Sequence, residues 1–494
     1  MMVWVLVAAI GGVFAGGLAE LFLPRLYLGR LAQIMASLVF FWEGNAVLAK
    51  KTLLAASGSW QVPNAAFHVV ADGLSSWFLM ALAASCLFFP LFFPRPRPGE
   101  IFWQNSVLAA TSLSLVAANG FLFLMSWELG SLAAFFFFTK SLEKKVSPLP
   151  FLFLSHFSTL SLLAFLGVTG RFSQTLEFSE ITLAGAPGFV VYGLGLAGFG
   201  ARAGLFPLPR WTEIFSGPNL TSRWLMFPAM ALPGAYGLAR FWLAPGSAGP
   251  WGWMLLVAGG CALALAAIFD EEKEEGKMAF LGGTTAVGIG FAVLMRQNDP
   301  GLAALSLASS LAIALVGGFA MAFGESPGGR SFPALAGRLA WALVLAWPCG
   351  MLAEAGLRAL SNAESAVALA AVFCLFPLAV VLGLAARLLV SQRPGIPEAG
   401  WAAFAFLFSG PGVTLGAQEA SAWILGEKGL GWPQVFVFLP LAAMPFLSAK
   451  RASFFDAVRA TPFLPFGLEL KIQEYGPPRR FWKKSPHFLQ RPPW

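Results

Sequence analysis

Charged side chains are what this sequence has least of: Asp, Glu, Lys and Arg make up 11% of its 494 residues, against about 25% in an ordinary soluble domain. With 57% hydrophobic residues and a mean hydropathy of +0.72, that scarcity excludes a soluble globular chain. So much apolar surface needs lipid as its solvent. Histidine is nearly missing too. His68 and His487 fall in polar joints and only His156 in an apolar stretch, which argues against a histidine-ligated haem. Cys86, Cys261, Cys349 and Cys374 stand singly, with no CxxC pair or other ligand spacing. The chain is therefore expected to hold no iron–sulfur cluster, structural zinc or other cofactor. It shows no hydrolytic constellation, so catalysis is expected to belong to other subunits.

What the sequence has in abundance is long apolar runs. A spanning helix needs about 20 mostly apolar residues, and such windows fill the chain almost end to end. They lie at 2–23, 31–49, 74–94, 103–120, 121–139, 149–169, 188–207, 222–243, 250–269, 277–296, 301–324, 334–356, 363–390, 400–424 and 432–449. The expected fold class is an all-α polytopic membrane protein of about fifteen transmembrane helices. The first window opens without a basic flank or a small-residue cleavage site, and reads as a retained span. Most of the 32 Lys and Arg fall in the loops after odd-numbered spans and in the tail beyond Ala449. By the excess of basic residues in cytoplasmic loops, the N-terminus is expected outside and the C-terminus in the cytoplasm. The net charge of +8 is thus a matter of topology, and no nucleic-acid partner is implied. The tail carries PPRRFWKKSPHF, a basic and aromatic mixture suited either to phospholipid headgroups or to a cytoplasmic partner.

Two windows are interrupted at matching places: Pro207 and Pro209 in FPLPRW, and Pro348 and Gly350 in AWPCG. If spans 4–8 and 9–13 are two repeats, each break falls in the fourth helix of its unit, a pattern found where transporters place an ion site. The expected organisation is N-terminal helices over 1–102, repeats over 103–243 and 250–391, C-terminal helices over 400–449 and a basic tail over 450–494.

Ionisable residues inside spans are costly and point to function. Glu128, in FLFLMSWELGSLAAFFFF, and Arg202, in GLAGFGARAGLFPLPRW, are the strongest, and they are expected to face one another. Such a pair either serves proton movement or locks its two spans together. His156, close to the Glu128 helix, is a candidate relay because imidazole titrates near neutrality, with a hydrogen-bonded packing role as the alternative. Glu20, Glu43 and Glu419 also lie in or near apolar spans but belong to no pattern.

At these residues the chain resembles a known family. SWELGSLAAF is similar to the glutamate-bearing fifth helix of the antiporter-like subunits of respiratory complex I and membrane-bound hydrogenases. GFGARAGLFPLPRW and AMALPGAYGLARF resemble that family's seventh and eighth helices, VADGLSSWF its DGLSxxF, and GKMAFLGGTTAVGIG the place of its KRLLAYSSIENIG. SHFSTLSLL around His156 is closest to the formate hydrogenlyase and hydrogenase-4 component B branch. The resemblance runs from about residue 70 to 356. It implies fourteen core helices with two inverted five-helix repeats, in a subunit that moves protons while a cytoplasmic arm does redox chemistry. It also implies neighbouring membrane subunits and a bacterial or archaeal cytoplasmic membrane.

By the same resemblance Glu128 stands at the family's glutamate, Arg202 replaces its first lysine and Leu232 its second. The substitution matters chemically, since lysine can alternate between charged and neutral whereas guanidinium stays protonated. GGTTAVG lacks the glutamate of SIENIG, and Ala303 to Gly324 contains no histidine or lysine. Glu354, in CGMLAEAG, occupies the place of the glutamate in PPxxGFxSEW. Arg387 lies near the place of a basic residue of helix thirteen, or else snorkels to headgroups. The expected proton pathway is therefore Glu128, Arg202, Glu354, His156 and Arg387, with no metal. The alternatives are a non-conducting scaffold of the same fold and a subunit of a sodium/proton antiporter.

Overall fold

The computed structural model describes residues 2–310 apart from 51, 63–64, 93–97, 142–146, 182–186, 206–219, 244–248, 269–273 and 297, together with 352, 355–356 and 373–374. Nearly all of the windows at 334–356 and 363–390, those at 400–424 and 432–449, and the tail lie outside the described residues. So do Glu354, Arg387, Glu419, Pro207, Pro209, Pro348 and Gly350.

Each apolar window up to residue 296 folds as one helix. In chain order these are α1 (Met2–Phe22), α2 (Leu28–Lys50), α3 (Gly73–Phe92), α4 (Pro98–Val116), α5 (Gly120–Ser141), α6 (Leu149–Ser173), α7 (Gly188–Ala203), α8 (Leu220–Trp242), α9 (Gly249–Ile268) and α10 (Glu274–Met295). Residues 300–310 continue as a helix. Val3–Phe22, Leu28–Lys50, Gly120–Ser141 and Leu149–Ser173 are, among the described residues, long and apolar enough to cross a membrane. The 22 residues of α5 extend about 33 Å, enough for a hydrocarbon core of about 30 Å.

Apolar side chains face outward as well as inward, unlike those of a soluble protein. Phe189, Phe153 and Trp42 are 79%, 73% and 71% exposed, while Asn105, Ser112, Ser126 and Thr169 are buried. Polar groups turn inward and find partners there: Ser37 donates to the Ala83 carbonyl at 2.7 Å, and Thr111 to the Ala229 carbonyl at 2.9 Å. That is the order expected where the surrounding solvent offers no hydrogen bonds.

Two elements differ from the sequence expectation. Helix α7 ends at Ala203, short of 207, because Gly204 adopts a left-handed backbone (φ 84°) and its N–H closes on the Gly200 carbonyl. Glycine pays no steric penalty there, and the helix stops before its prolines are reached. The fold is also not purely helical. The joint between α2 and α3 forms an antiparallel hairpin, β1 (Leu54–Val62) with β2 (Ala65–Ala71), pairing Leu54 with Ala71 and Ser57 with His68. Its outer strand is extended by the α4–α5 link. Ala118 N–H donates to the His68 carbonyl at 3.0 Å, and Phe178 N–H to the Ala118 carbonyl at 2.8 Å.

Helix α8 is central, packing on α3, α4, α5, α7 and α10. An aromatic cluster of Phe123, Trp127, Phe165, Phe199 and Phe241 fills the space between α5, α6, α7 and α8. The α9 and α10 backbones touch through glycines, since a Cβ on Gly259 would stand 2.6 Å from the Gly283 carbonyl oxygen. Small residues at such seams let membrane helices gain packing energy where lipid gives them no hydrophobic drive.

Candidate functional site

Midway along α5, Glu128 turns toward α6. Its Oε1 lies 2.9 Å from His156 Nδ1, and its Oε2 accepts a 2.6 Å hydrogen bond from Thr159 Oγ1. His156 and Thr159 are three residues apart, so one face of α6 presents both to the carboxylate. The Thr159 hydroxyl also lies 3.0 Å from the Ser155 carbonyl. With one proton to give, it serves one acceptor at a time. The pair sits at the rim of the bundle, with the His156 side chain 47% exposed and that of Glu128 29%.

Arg202 is the buried member, 5% exposed. It occupies the last turn of α7, where the free carbonyls of a helix end favour a cation. Its Nη1 donates to Ser131 Oγ, and its Nε donates to the Met230 carbonyl of α8 at 3.2 Å. The guanidinium carbon stands 4.9 Å from the centroid of Trp127, a cation–π contact that gains strength where water is excluded. Ser131 keeps its own proton on the Trp127 carbonyl, at 3.0 Å, and so accepts from the arginine with a lone pair. Beside Arg202 is a small cavity lined by Ser155, Ser158, Phe151, Leu154, Ala201 and Met230. Ser155 and Ser158 face Arg202 from the helix that carries His156 and Thr159 toward Glu128. One element thus touches both charges.

The expected direct Glu128–Arg202 contact is not formed. Among the described residues no ion pair joins them. Glu128 is taken by two partners on α6, and Arg202 by the hydroxyl one turn further along α5. They remain within electrostatic reach of each other. Leu232 is fully buried in α8 and offers no titratable group. In α10 the Thr284 and Thr285 hydroxyls are spent on their own helix, donating to the carbonyls of Phe280 at 2.7 Å and Leu281 at 2.8 Å.

Helix α8 is fixed from its far end by a clasp. Arg240 grips Asp72, with Nη1–Oδ2 at 2.5 Å and Nη2–Oδ1 at 2.9 Å, and also bonds Ser75 and Tyr236. Asp72 caps α3 as well, accepting from Ser75 N–H at 2.8 Å. Burial opposes ionisation of Asp72, but the Arg240 charge and the hydrogen bonds from Arg240 and Ser75 outweigh it and hold the carboxyl below its ordinary value. At the same end His68 Nδ1 lies 2.9 Å from Glu177 Oε2. Sequence reasoning named Glu128, Arg202 and His156 but missed Thr159, Ser131, Trp127 and the Asp72–Arg240 clasp. Only Thr159 carried a usable signal, its spacing of one helical turn from His156.

No family model matches the chain. Over 267 residues, 49% of this chain and 39% of the other, it is 27% identical to hydrogenase-4 component B of Escherichia coli (strain K12). The chain therefore matches well under half of that relative's length. Solved structures of membrane complexes share its fold. Against the Mrp complex from Dietzia sp. DQ12-45-1b the TM-score is 0.65 at 17% identity, covering 90% of this chain and 55% of that one. Against respiratory complex I from Thermus thermophilus it is 0.57 at 17% identity, covering 89% of this chain and 98% of that one. The chain is thus similar in sequence to a hydrogenase-4 component and shares its fold with chains of the Mrp complex and of respiratory complex I. On that fold, the glutamate of SWELGS and the arginine of GFGARAG are the acid and the cation of the site described above.

Proposed function

We propose that this chain is an antiporter-like membrane subunit of a complex I-related or membrane-bound hydrogenase assembly, and that it takes part in proton translocation coupled to electron transfer in other subunits. The observation that carries this reading is the Glu128–His156 contact at 2.9 Å, midway along the spanning helix α5. Carboxylate and imidazole can each bind and release a proton, and Thr159 offers a hydroxyl between Glu128 and the Ser155 carbonyl. Arg202 does not release its proton. Its guanidinium is held in place by Ser131, the Met230 carbonyl and the face of Trp127, as a fixed charge within electrostatic reach of Glu128.

In the full reading about fifteen spans thread the membrane, with inverted repeats over 103–243 and 250–391. N-terminal helices fill 1–102, C-terminal helices 400–449, and a basic tail 450–494 reaches the cytoplasm. The chain lies in a bacterial or archaeal cytoplasmic membrane with its N-terminus outside. Glu354 and Arg387 extend the pathway beyond Arg202. Neighbouring membrane subunits, a cytoplasmic redox arm and phospholipids are its partners.

The test is redox-driven proton uptake by proteoliposomes holding the whole complex. Glu128→Gln is expected to abolish most of the uptake while electron transfer persists, and His156→Gln to reduce it. Unchanged uptake in an intact Glu128→Gln complex would falsify the reading and leave the chain a scaffold.

A further inference from the structure

Among the described residues, one carboxylate oxygen outside the Glu128 site is buried with no hydrogen-bond partner. Glu43 lies in α2 on the face that buries Phe40, Gly44 and Val47, and it is 5% exposed. Its Oε2 is fully buried and has no hydrogen-bond partner. This face packs against α3. Gly44 brings the two backbones close, since a Cβ there would stand 2.7 Å from Met80 Cγ and 3.0 Å from the Ser76 carbonyl oxygen. The Ser76 hydroxyl is also completely buried without a partner, whereas Ser75 beside it turns away to Tyr236 and Arg240 of α8.

Among the described residues no cation bonds Glu43, and the N-terminal amine before α1 and Lys50 of α2 act on it only at a distance. Helix α3 contains no charged residue, and the charged residue within α1 is Glu20. Glu20 answers to a different partner, the Gly29 N–H, at 2.7 Å. On α2 itself Lys50 lies seven residues on, at the exposed end of the helix, about 10 Å further along the axis. A carboxylate buried in this way lacks the bonded cation or set of donors that offsets the cost of burial. The carboxylic acid is neutral, and carries a donor of its own.

We propose that Glu43 is a proton-binding site separate from the Glu128 site, holding its proton as a carboxylic acid in the α2–α3 interface that Ser76 also lines. The inference rests on α2 and α3 alone and stands or falls independently of proton uptake through Glu128.

Infrared difference spectroscopy on the assembled protein, wild type minus Glu43→Gln, tests it. The expected result is loss of one protonated-carboxyl C=O stretch with the carboxylate bands unchanged. Loss of a carboxylate band pair instead would show Glu43 ionised and overturn the proposal. Should the variant fail to assemble, wild-type protein in its own membrane is treated with dicyclohexylcarbodiimide, which enters from the lipid. The carboxyl proton passes to one carbodiimide nitrogen as the carboxyl oxygen bonds to the central carbon. The resulting O-acylisourea rearranges to an N-acylurea, and no atom is lost. A Glu43 peptide heavier by one whole reagent, found by mass spectrometry, supports the proposal. Recovery of Glu43 unmodified overturns it.

Discussion

Arg202 and Glu128 carry opposite charges near one another, yet hydrogen bonding divides them between different partners. Charge in an apolar context is visible in a sequence, and it picked out Glu128, Arg202 and His156. Which of them touch depends on the rotation of each helix about its axis, and one residue changes that rotation by about 100°. The neighbours that decided it, Ser131 and Thr159, are uncharged and indistinguishable in sequence from many other buried hydroxyls. The geometry around Arg202 also shows that arginine is no simple stand-in for lysine. It spans Ser131 on α5 and Met230 on α8 while lying over Trp127. An ammonium is a single point charge without a planar face and cannot reproduce that set. Arg202→Lys is therefore expected to lower stability by about 1–2 kcal/mol, read as a fall in unfolding temperature of the detergent-solubilised protein. A change within experimental error would mean that the stacked, forked geometry contributes nothing to the fold.

At the scale of elements, α8 is held at two points. At one end the Asp72–Arg240 clasp ties it to α3, and further along it grazes α7, where a Cβ on Gly234 would stand 2.6 Å from both the Ala203 nitrogen and the Phe199 carbonyl oxygen. About one turn beyond Gly234, away from the clasp, sits Met230, whose carbonyl receives Arg202. Gly234→Ala must push backbone away from backbone, with no flexible side chain to yield. It is expected to cost about 1–3 kcal/mol and to loosen the Arg202–Met230 bond, which thermal unfolding beside hydrogen exchange over 226–242 would register. Asp72→Asn removes the charge from the clasp while keeping its shape, and is expected to cost about 1–2 kcal/mol. The pH dependence has a definite sign. Asp72 has its carboxyl held below the ordinary value, so its contribution is fully present above the unfolded pKa of about 4 and is lost as pH falls through the lower folded value. The Asn variant should flatten the acid limb of the stability curve. The helices themselves were legible because apolar windows of spanning length leave little choice of structure. The hairpin was not, since 54–71 is too short to span and reads only as a joint.

On the scale of the whole molecule, the bundle has two ends. One carries the hairpin, the Asp72–Arg240 clasp and the His68–Glu177 contact. The other carries Arg30 and Lys140, where α2 begins and α5 finishes. Charge counting along the sequence gives the second end to the cytoplasm, and at least one cation of the hairpin end, Arg240, is neutralised by Asp72. Ser57 on β1 and Lys140 at the end of α5 are both exposed and lie at opposite ends, while Cys86 and Cys374 are buried and Cys261 is exposed. Ser57→Cys and Lys140→Cys, each in a background in which Cys261 and Cys349 are replaced by Ser, therefore report the orientation. With a membrane-impermeant maleimide on right-side-out vesicles, Ser57→Cys is expected to react at once and Lys140→Cys only after the membrane is opened. The reverse order would turn the bundle over. Glu128 sits nearer the hairpin end than Arg202 does, by their positions along α5 and α7, so the same result decides which of the acid and the fixed cation lies closer to the outside.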